Sequence, residues 1–246
     1  MDLPLAHFDA IRHQEISRVL SRHRELFASK DALEIGSGTG VQLREIQNIA
    51  RSAVGLELLG GAYVRDNALN IVEYGGLHIP FPDASFDVVF SSNVMEHIAD
   101  QQQINAEIRR VLRPAGKVVH VMPTRAWRVL TSVLHYPRLL KSALFRSHGI
   151  QAVHNHGPHQ SRSNRIKNII IPAKHGDLGG WIAEYGYFGV SRWAEHFRRM
   201  GWTVEAAEPM GLAYSGNSLL AGNISMRTRS ALSTVVGSSS AIFVLG

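Results

Sequence analysis

The sequence predicts an α/β protein, a parallel sheet covered by helices on both faces. Short strand-like runs alternate with helix-like stretches of about ten residues from residue 30 to 122, and right-handed βαβ units resolve such an alternation. The first strand-like run stops on a glycine-rich turn, Gly36-Ser37-Gly38-Thr39-Gly40. The run FDVVFS at 86–91 is β-branched and aromatic almost throughout, as strands buried on both faces are.

Taken in order, residues 10–28 place Ile11, Ile16, Val19, Leu20 and Leu26 at mixed helical spacing, which predicts an amphipathic helix. Ala32 to Ile35 is the first strand. Residues 41–50 return to the helical period through Val41, Leu43, Ile46 and Ile49. Ala53 to Leu56 is the second strand, and a helix is expected near 61–69. Ile71 to Tyr74 is the third strand and Phe86 to Ser91 the fourth. Residues 100–112 read as a helix with Asp100 at its N-cap and Pro114 just past its end. Lys117 to Met122 is the fifth strand. The alternation then breaks. Residues 123–190 are irregular and rich in His, Gly and Pro, before a helix at 191–200 and a strand at 202–207. A last apolar run, Ala241 to Leu245, is a candidate final strand with 210–238 inserted before it. The expectation is one domain over 1–246, with its core at about 28–123 and 191–246 and an insertion at about 124–190.

Composition narrows the chemistry. The 246 residues include no Cys, which excludes disulfides, thiolate metal sites, iron–sulfur clusters and a Cys nucleophile. No apolar stretch approaches 18 residues, and Met1-Asp2-Leu3-Pro4 lacks a signal pattern, so a cytoplasmic protein is expected. The net charge of +6 is uneven: residues 125–176 hold nine Lys/Arg and no acid. Such a segment either attracts phosphates, an anionic membrane surface or an acidic substrate, or is a solvated loop.

In open α/β sheets, ligands sit beyond the carboxyl ends of the strands. The glycine turn lies at such a point, and its residues let a ligand approach the backbone. Glu57 closes the second strand, 21 residues after Gly36, where a carboxylate can accept hydrogen bonds from the two hydroxyls of a ribose. A dinucleotide fingerprint carries a small residue at its sixth position; here Val41 stands there, and Glu34 lies in the strand end, where a ligand's amino group could meet it. Both features point away from NAD and toward S-adenosyl-L-methionine, which has an ammonium and no pyrophosphate.

Four segments then make a resemblance specific. Leu33-Glu34-Ile35-Gly36-Ser37-Gly38-Thr39-Gly40 resembles the first motif of class I S-adenosylmethionine-dependent methyltransferases. Ile79 to Val89 is similar to that family's approach to strand four, Ser92 to Ile98 to the segment leaving it, and Arg110 to Lys117 to the turn into strand five. The resemblance implies a Rossmann-like, seven-stranded, mostly parallel sheet with an antiparallel last strand. It implies S-adenosyl-L-methionine as cofactor, with Glu34 and the Gly36-Ser37-Gly38 turn facing its methionine part. Glu57 would bind the ribose, Leu58 would lie against the adenine, Gly76 and Leu77 would border the adenine edge, and Ser91 and Asn93 would line the other side. One position departs from the pattern: where the family often has an acid before the small residue at the adenine, this chain has Gly75.

Methyl transfer from a sulfonium mainly requires alignment, and a hydroxyl or amine acceptor also needs a base. His97, expected at the start of the helix after strand four, is the candidate catalytic residue; a packing role is the competing reading. His148, His154, His156 and His159 lie within twelve residues, but without acids nearby, and no metal is expected. Residues 125–146 carry an apolar stripe (Trp127, Leu130, Leu134) with basic flanks. This is either an interfacial helix or a cap packed on the domain. Trp193-Ala194-Glu195-His196-Phe197 is loosely similar to methyltransferases found with bacterial glycan biosynthesis. The expected activity is therefore methyl transfer to an oxygen of a sugar, a lipid-linked glycan or another hydrophobic small molecule, with peripheral contact at an anionic membrane. Nucleic acid is a lesser partner, as no separate RNA-binding module is visible. An RNA methyltransferase and a cofactor-binding regulatory protein without catalysis are the rival readings.

Overall fold

The computed structural model describes residues 3–60, 69–76, 78–137, 175–176, 182–216 and 224–246. Within them, seven strands form one sheet: β1 Asp31–Ile35, β2 Ser52–Leu58, β3 Ile71–Tyr74, β4 Phe86–Ser92, β5 Leu112–Pro123, β6 Val204–Pro209 and β7 Ser240–Leu245. Their order is β3-β2-β1-β4-β5-β7-β6. Strands β1 to β5 run parallel, and β7 enters antiparallel between β5 and β6. The chain winds outward from β1 through β2 to β3, then returns to the far side of β1 as β4. That reversal opens a crevice at the carboxyl ends of β1 and β4.

Among the described residues the helices are α1 Leu3–Arg22, α2 Val41–Gln47, α3 Gln101–Val111, α4 Arg125–Val133, α5 Glu184–Tyr187, α6 Val190–Arg199 and α7 Met226–Val236. Ser240 and Phe243 lie an odd number apart on β7 and so face opposite sides of the sheet. Ser240 donates to Glu15 of α1 at 2.5 Å, while the Phe243 ring meets Phe197 of α6 with centroids 5.4 Å apart. Helices therefore cover both faces. Between them Leu33, Ile35, Val88, Val89, Phe90, Val118 and Val119 are fully buried, each contributing about 1.5–3 kcal/mol by leaving water.

Boundaries differ from the sequence expectation where tertiary partners intervene. Helix α1 begins at Leu3 and ends at Arg22, followed by a 3₁₀ turn at Arg24–Leu26; Pro4 fits its first turn because a helix's first amides need no partner there. Asp100 does cap α3, its carboxylate accepting from the Gln103 amide at 2.9 Å. Strand β5 begins at Leu112, before Pro114, with a register shift opposite Phe86 and Val88. Strand β6 starts at Val204 because Trp202 is taken up by α3: its indole N–H donates to Asn105 at 2.5 Å and Arg109 lies over its ring. The final strand is as expected, and the described residues before it carry α7, capped by Ser225. The expected helix near 61–69 lies almost wholly outside the described residues, as does most of the expected insertion at 124–190, including the histidines 148–159. No helix among the described residues is long and apolar enough to cross a membrane.

Candidate cofactor site and its neighbours

The glycine turn follows β1 and is held by β2. The Gly36 and Ser37 amides both donate to the Leu56 carbonyl, at 2.8 and 3.0 Å. Gly36 has φ +74° and lies against Val94, so a Cβ would drive into that side chain. Strain and collision together make glycine the residue that fits. The same contact joins the two banks of the crevice, since Val94 follows β4.

Glu57 is 9% exposed at the end of β2. One carboxylate oxygen accepts from the Gly38 amide at 2.6 Å and the other from the Leu58 amide at 3.2 Å. A carboxylate has about four lone-pair sites, so two remain for vicinal hydroxyls. Glu34 on β1 is 2% exposed, and its Oε2 has no hydrogen-bond partner. Burial holds its carboxyl well above the usual carboxylate range, opposed by Ser37, and the nearby Glu57 charge raises it further. A buried oxygen left without a donor is costly, and a ligand ammonium would supply the donor. The Ser37 hydroxyl approaches the Leu56 and Glu34 carbonyls at 3.4 and 3.5 Å.

Along the adenine side, Leu58 is 52% exposed. Gly76 has φ +83°, and a Cβ there would meet Leu58 Cδ2 at 2.9 Å; at Gly75 a Cβ would meet nothing within 4 Å. Leu77 lies outside the described residues. On the opposite bank Asn93 adopts φ +53°, a conformation Asn tolerates better than most, and donates to Ser92 Oγ at 3.2 Å. Ser91 is fully buried, its hydroxyl 2.8 Å from His120 Nδ1; its side chain is engaged inside the sheet layer. The orphaned Glu34 oxygen, the spare lone pairs of Glu57 and the open edge at Gly75 fit a nucleoside bearing an ammonium.

His97 corrects one expectation. It stands in a 3₁₀ turn, Met95–His97, and not at the start of a helix. Its Nε2 lies 3.8 Å from Oε1 of Glu96, which is 0% exposed. His175 joins them, its Nε2 3.6 Å from the same oxygen. The His175 ring is flanked by His97 at 4.6 Å and Trp127 at 4.3 Å between centroids. Its amide donates to Glu184 at 2.6 Å, and Glu184 meets buried Arg128 at 3.0 Å. Sequence reasoning singled out His97 but missed His175, which stands 78 residues on with no spacing signal.

It also missed the polar anchor of α1. The Glu15 carboxylate, fully buried, accepts from Arg12 at 2.5 Å, Tyr214 at 2.6 Å and Ser240 at 2.5 Å. Arg12 further reaches Ser92 at 3.5 Å, and Thr39 in the glycine loop donates to Asp9 at 2.8 Å. Helix α1 thus closes over the crevice. Of the apolar stripe on α4, Trp127 is buried, and Leu130 and Leu134 line a small cavity with Tyr214 and Leu232. The described part of the stripe packs on the domain.

Comparison with known proteins bears on the fold and on residues 33–120. Residues 33–120 match the model of a methyltransferase domain family. A probable S-adenosylmethionine-dependent methyltransferase of Mycolicibacterium smegmatis is 38% identical over 118 residues, covering 46% of this chain and 45% of that protein. One from Mycobacterium tuberculosis is 30% identical over 128 residues, covering 50% and 46%. The aligned stretches thus span under half the length of these relatives. A crystal structure of an S-adenosylmethionine-dependent methyltransferase from Mesorhizobium loti shares the fold at TM-score 0.51 and 12% identity, covering 93% of this chain and 97% of that one. Motif and relatives converge on one stretch, residues 33–120, which is similar to the methyltransferase domain of S-adenosylmethionine-dependent methyltransferases, and the sheet around it has the fold of such an enzyme.

Proposed function

We propose that this chain transfers the methyl group of S-adenosyl-L-methionine to an oxygen of a sugar, a lipid-linked glycan or another hydrophobic small molecule. The observation that carries the methyl-donor half is Glu57, bonded through Gly38 to the glycine loop with lone pairs left for a ribose. Glu34 and the loop backbone would hold the methionine part, Leu58 and Gly76 the adenine, and Asn93 the opposite bank. When bound, the cofactor supplies an activated methyl group on a good leaving group. The chain's own task is to align the acceptor, a contribution of roughly 7–11 kcal/mol where geometry is near ideal.

The acceptor half rests on what stands beside the β4 end. Trp127 and Phe188 are buried against each other there and make the floor beneath His175 apolar, which favours an acceptor with a ring or an acyl chain. An oxygen acceptor sheds a proton, and His97, Glu96 and His175 are the polar groups beside that floor. The face of α4 turned away from the domain exposes Val129 and Val133, with Tyr136 beyond. With the basic residues of 125–176, this supports a peripheral contact with anionic lipid.

The test is transfer of a labelled methyl group from the donor to separated pools of glycans, lipid-linked sugars, hydrophobic small molecules and RNA. Label in a base-stable ether of one of the first three pools is the expected result. Donor binding with no turnover in any pool would leave a regulatory binding protein, and label in RNA alone would move the acceptor class. Sedimentation with anionic vesicles checks the surface contact, which should weaken with salt.

A further inference from the structure

We propose that Glu96, His97 and His175 form a site for a divalent transition-metal cation, with zinc as the reference ion. The donor set is one carboxylate and two imidazoles, a set found in zinc sites that keep one position open. The three candidate ligand atoms all lie within 4.8 Å of one another. Tetrahedral zinc at about 2.0–2.2 Å from its ligands sets the donor atoms roughly 3.3–3.5 Å apart. Glu96 Oε1 lies 3.8 Å from His97 Nε2 and 3.6 Å from His175 Nε2, so a few tenths of an ångström of closure suffices for those two pairs.

Burial gives an independent reason. Glu96 is wholly inaccessible, and neither carboxylate oxygen has a hydrogen-bond partner among the described residues. A buried carboxylate without donors is costly unless paired or bound to metal. Arg12 feels the Glu96 charge, but its hydrogen bonds go to Glu15 at 2.5 Å and Ser92 at 3.5 Å. A cation between the two rings would satisfy Glu96 directly.

The surroundings hold the ligands in place. Trp127 and Phe188 pack around the His175 ring. Glu184 accepts from the amides of both His175 and Gly176. Gly176 lies so close to Glu96 that a Cβ would stand 2.7 Å from its carbonyl oxygen. Supporting contacts of this kind orient ligands and raise affinity. Entry is open, since the His97 and His175 side chains are 34% and 21% exposed. The sequence expectation of no metal concerns the histidines at 148–159; these ligands are different residues, brought together by the fold.

Binding of the cation stands apart from the methyl-transfer reading; only its use rests on that reading. An open fourth position would take water or an acceptor hydroxyl, whose pKa a bound cation lowers. His97 would then be a ligand, and not the proton acceptor itself.

The experiment is a calorimetric titration of chelator-treated, dialysed full-length protein with ZnCl₂, without cofactor or acceptor, paired with the visible spectrum of the Co²⁺ form. The expected result is one saturable site, a tetrahedral Co²⁺ spectrum and a higher thermal midpoint with metal. His97→Ala and His175→Ala should each weaken binding at least tenfold while keeping a cooperative thermal transition. A His154→Ala/His156→Ala double variant should bind as the parent does. No saturable binding would overturn the proposal. So would affinity unchanged in both single variants, or lost only in the double variant, since the ion would then sit elsewhere.

Discussion

The two banks of the crevice are built differently. On the cofactor bank, Glu34, the glycine turn, Glu57 and Leu58 fall within 25 residues of one another, and their key contacts, such as Gly38 to Glu57, span 19. On the acceptor bank the partners are far apart in sequence. Tyr214 reaches Glu15 across 199 residues and Ser240 reaches it across 225, and Glu96 meets His175 across 79. A site made from consecutive βα turns is written locally. One assembled where α1, α4 and the C-terminal strands converge depends on the whole fold. The cofactor bank should therefore tolerate loss of an acceptor-bank group better than the reverse.

The largest effect expected from breaking this contrast is at Glu15. Glu15→Ala removes the shared acceptor of Arg12, Tyr214 and Ser240 and leaves the arginine without its carboxylate partner. Breaking a buried pair from one side costs about 3–5 kcal/mol, so denaturant unfolding should show a loss of that order. A loss below about 1 kcal/mol would mean that α1 is held mainly by its apolar face. Next is Gly36→Ala, which strains a left-handed residue and collides with Val94. A cost of about 1–3 kcal/mol is expected, together with weaker methyl-donor binding in calorimetry; normal donor affinity would show that the loop is more adaptable than its packing implies.

A third test uses pH. Burial, with a smaller push from His196, brings His120 down from 6.5 to about 3. The unfolded chain then binds a proton that the folded chain refuses between those values. Stability should fall as pH drops from about 6.5 toward 3, by up to about 1.4 kcal/mol per pH unit. The carboxylates held low by arginine, Asp31 and Glu107, add their loss as pH falls through the ordinary carboxylate range and below it. His120→Gln should flatten the upper part of the profile in pH-dependent urea melts, and an unchanged slope there would remove His120 as its source. The smallest effect sharpens the cofactor bank. Gly75 has open space where a Cβ would stand, so Gly75→Asp should fold normally and tighten donor binding a few-fold, by about 1 kcal/mol for one added hydrogen bond. A weaker complex would place the adenine amino group elsewhere.

Sequence legibility follows the same division. The strand cores and the αβ alternation could be read because hydrophobic period and turn chemistry are local signals. The glycine turn after β1 and the acid closing β2 could be located for the same reason. Trp202 shifted the start of β6 because its partner, Asn105, lies on a distant helix. Ser91 was read as a lining residue, but its hydroxyl turns to His120 on the next strand, a pairing set by register between β4 and β5. His97 was found and misplaced: the chain leaves β4 through a 3₁₀ turn, and no residue pattern announced it. His175 carried no signal at all.

The methyl donor's hold on the carboxyl edge of the sheet rests on Glu57 in the reading proposed above. Calorimetric titration with S-adenosyl-L-methionine measures this most directly, comparing the parent protein with Glu57→Ala. A single saturable site is expected in the parent, with an affinity lower by about 10- to 100-fold in the variant, the effect of removing a charged acceptor from two hydroxyls. No binding by the parent, or equal affinity in the two proteins, would contradict that reading.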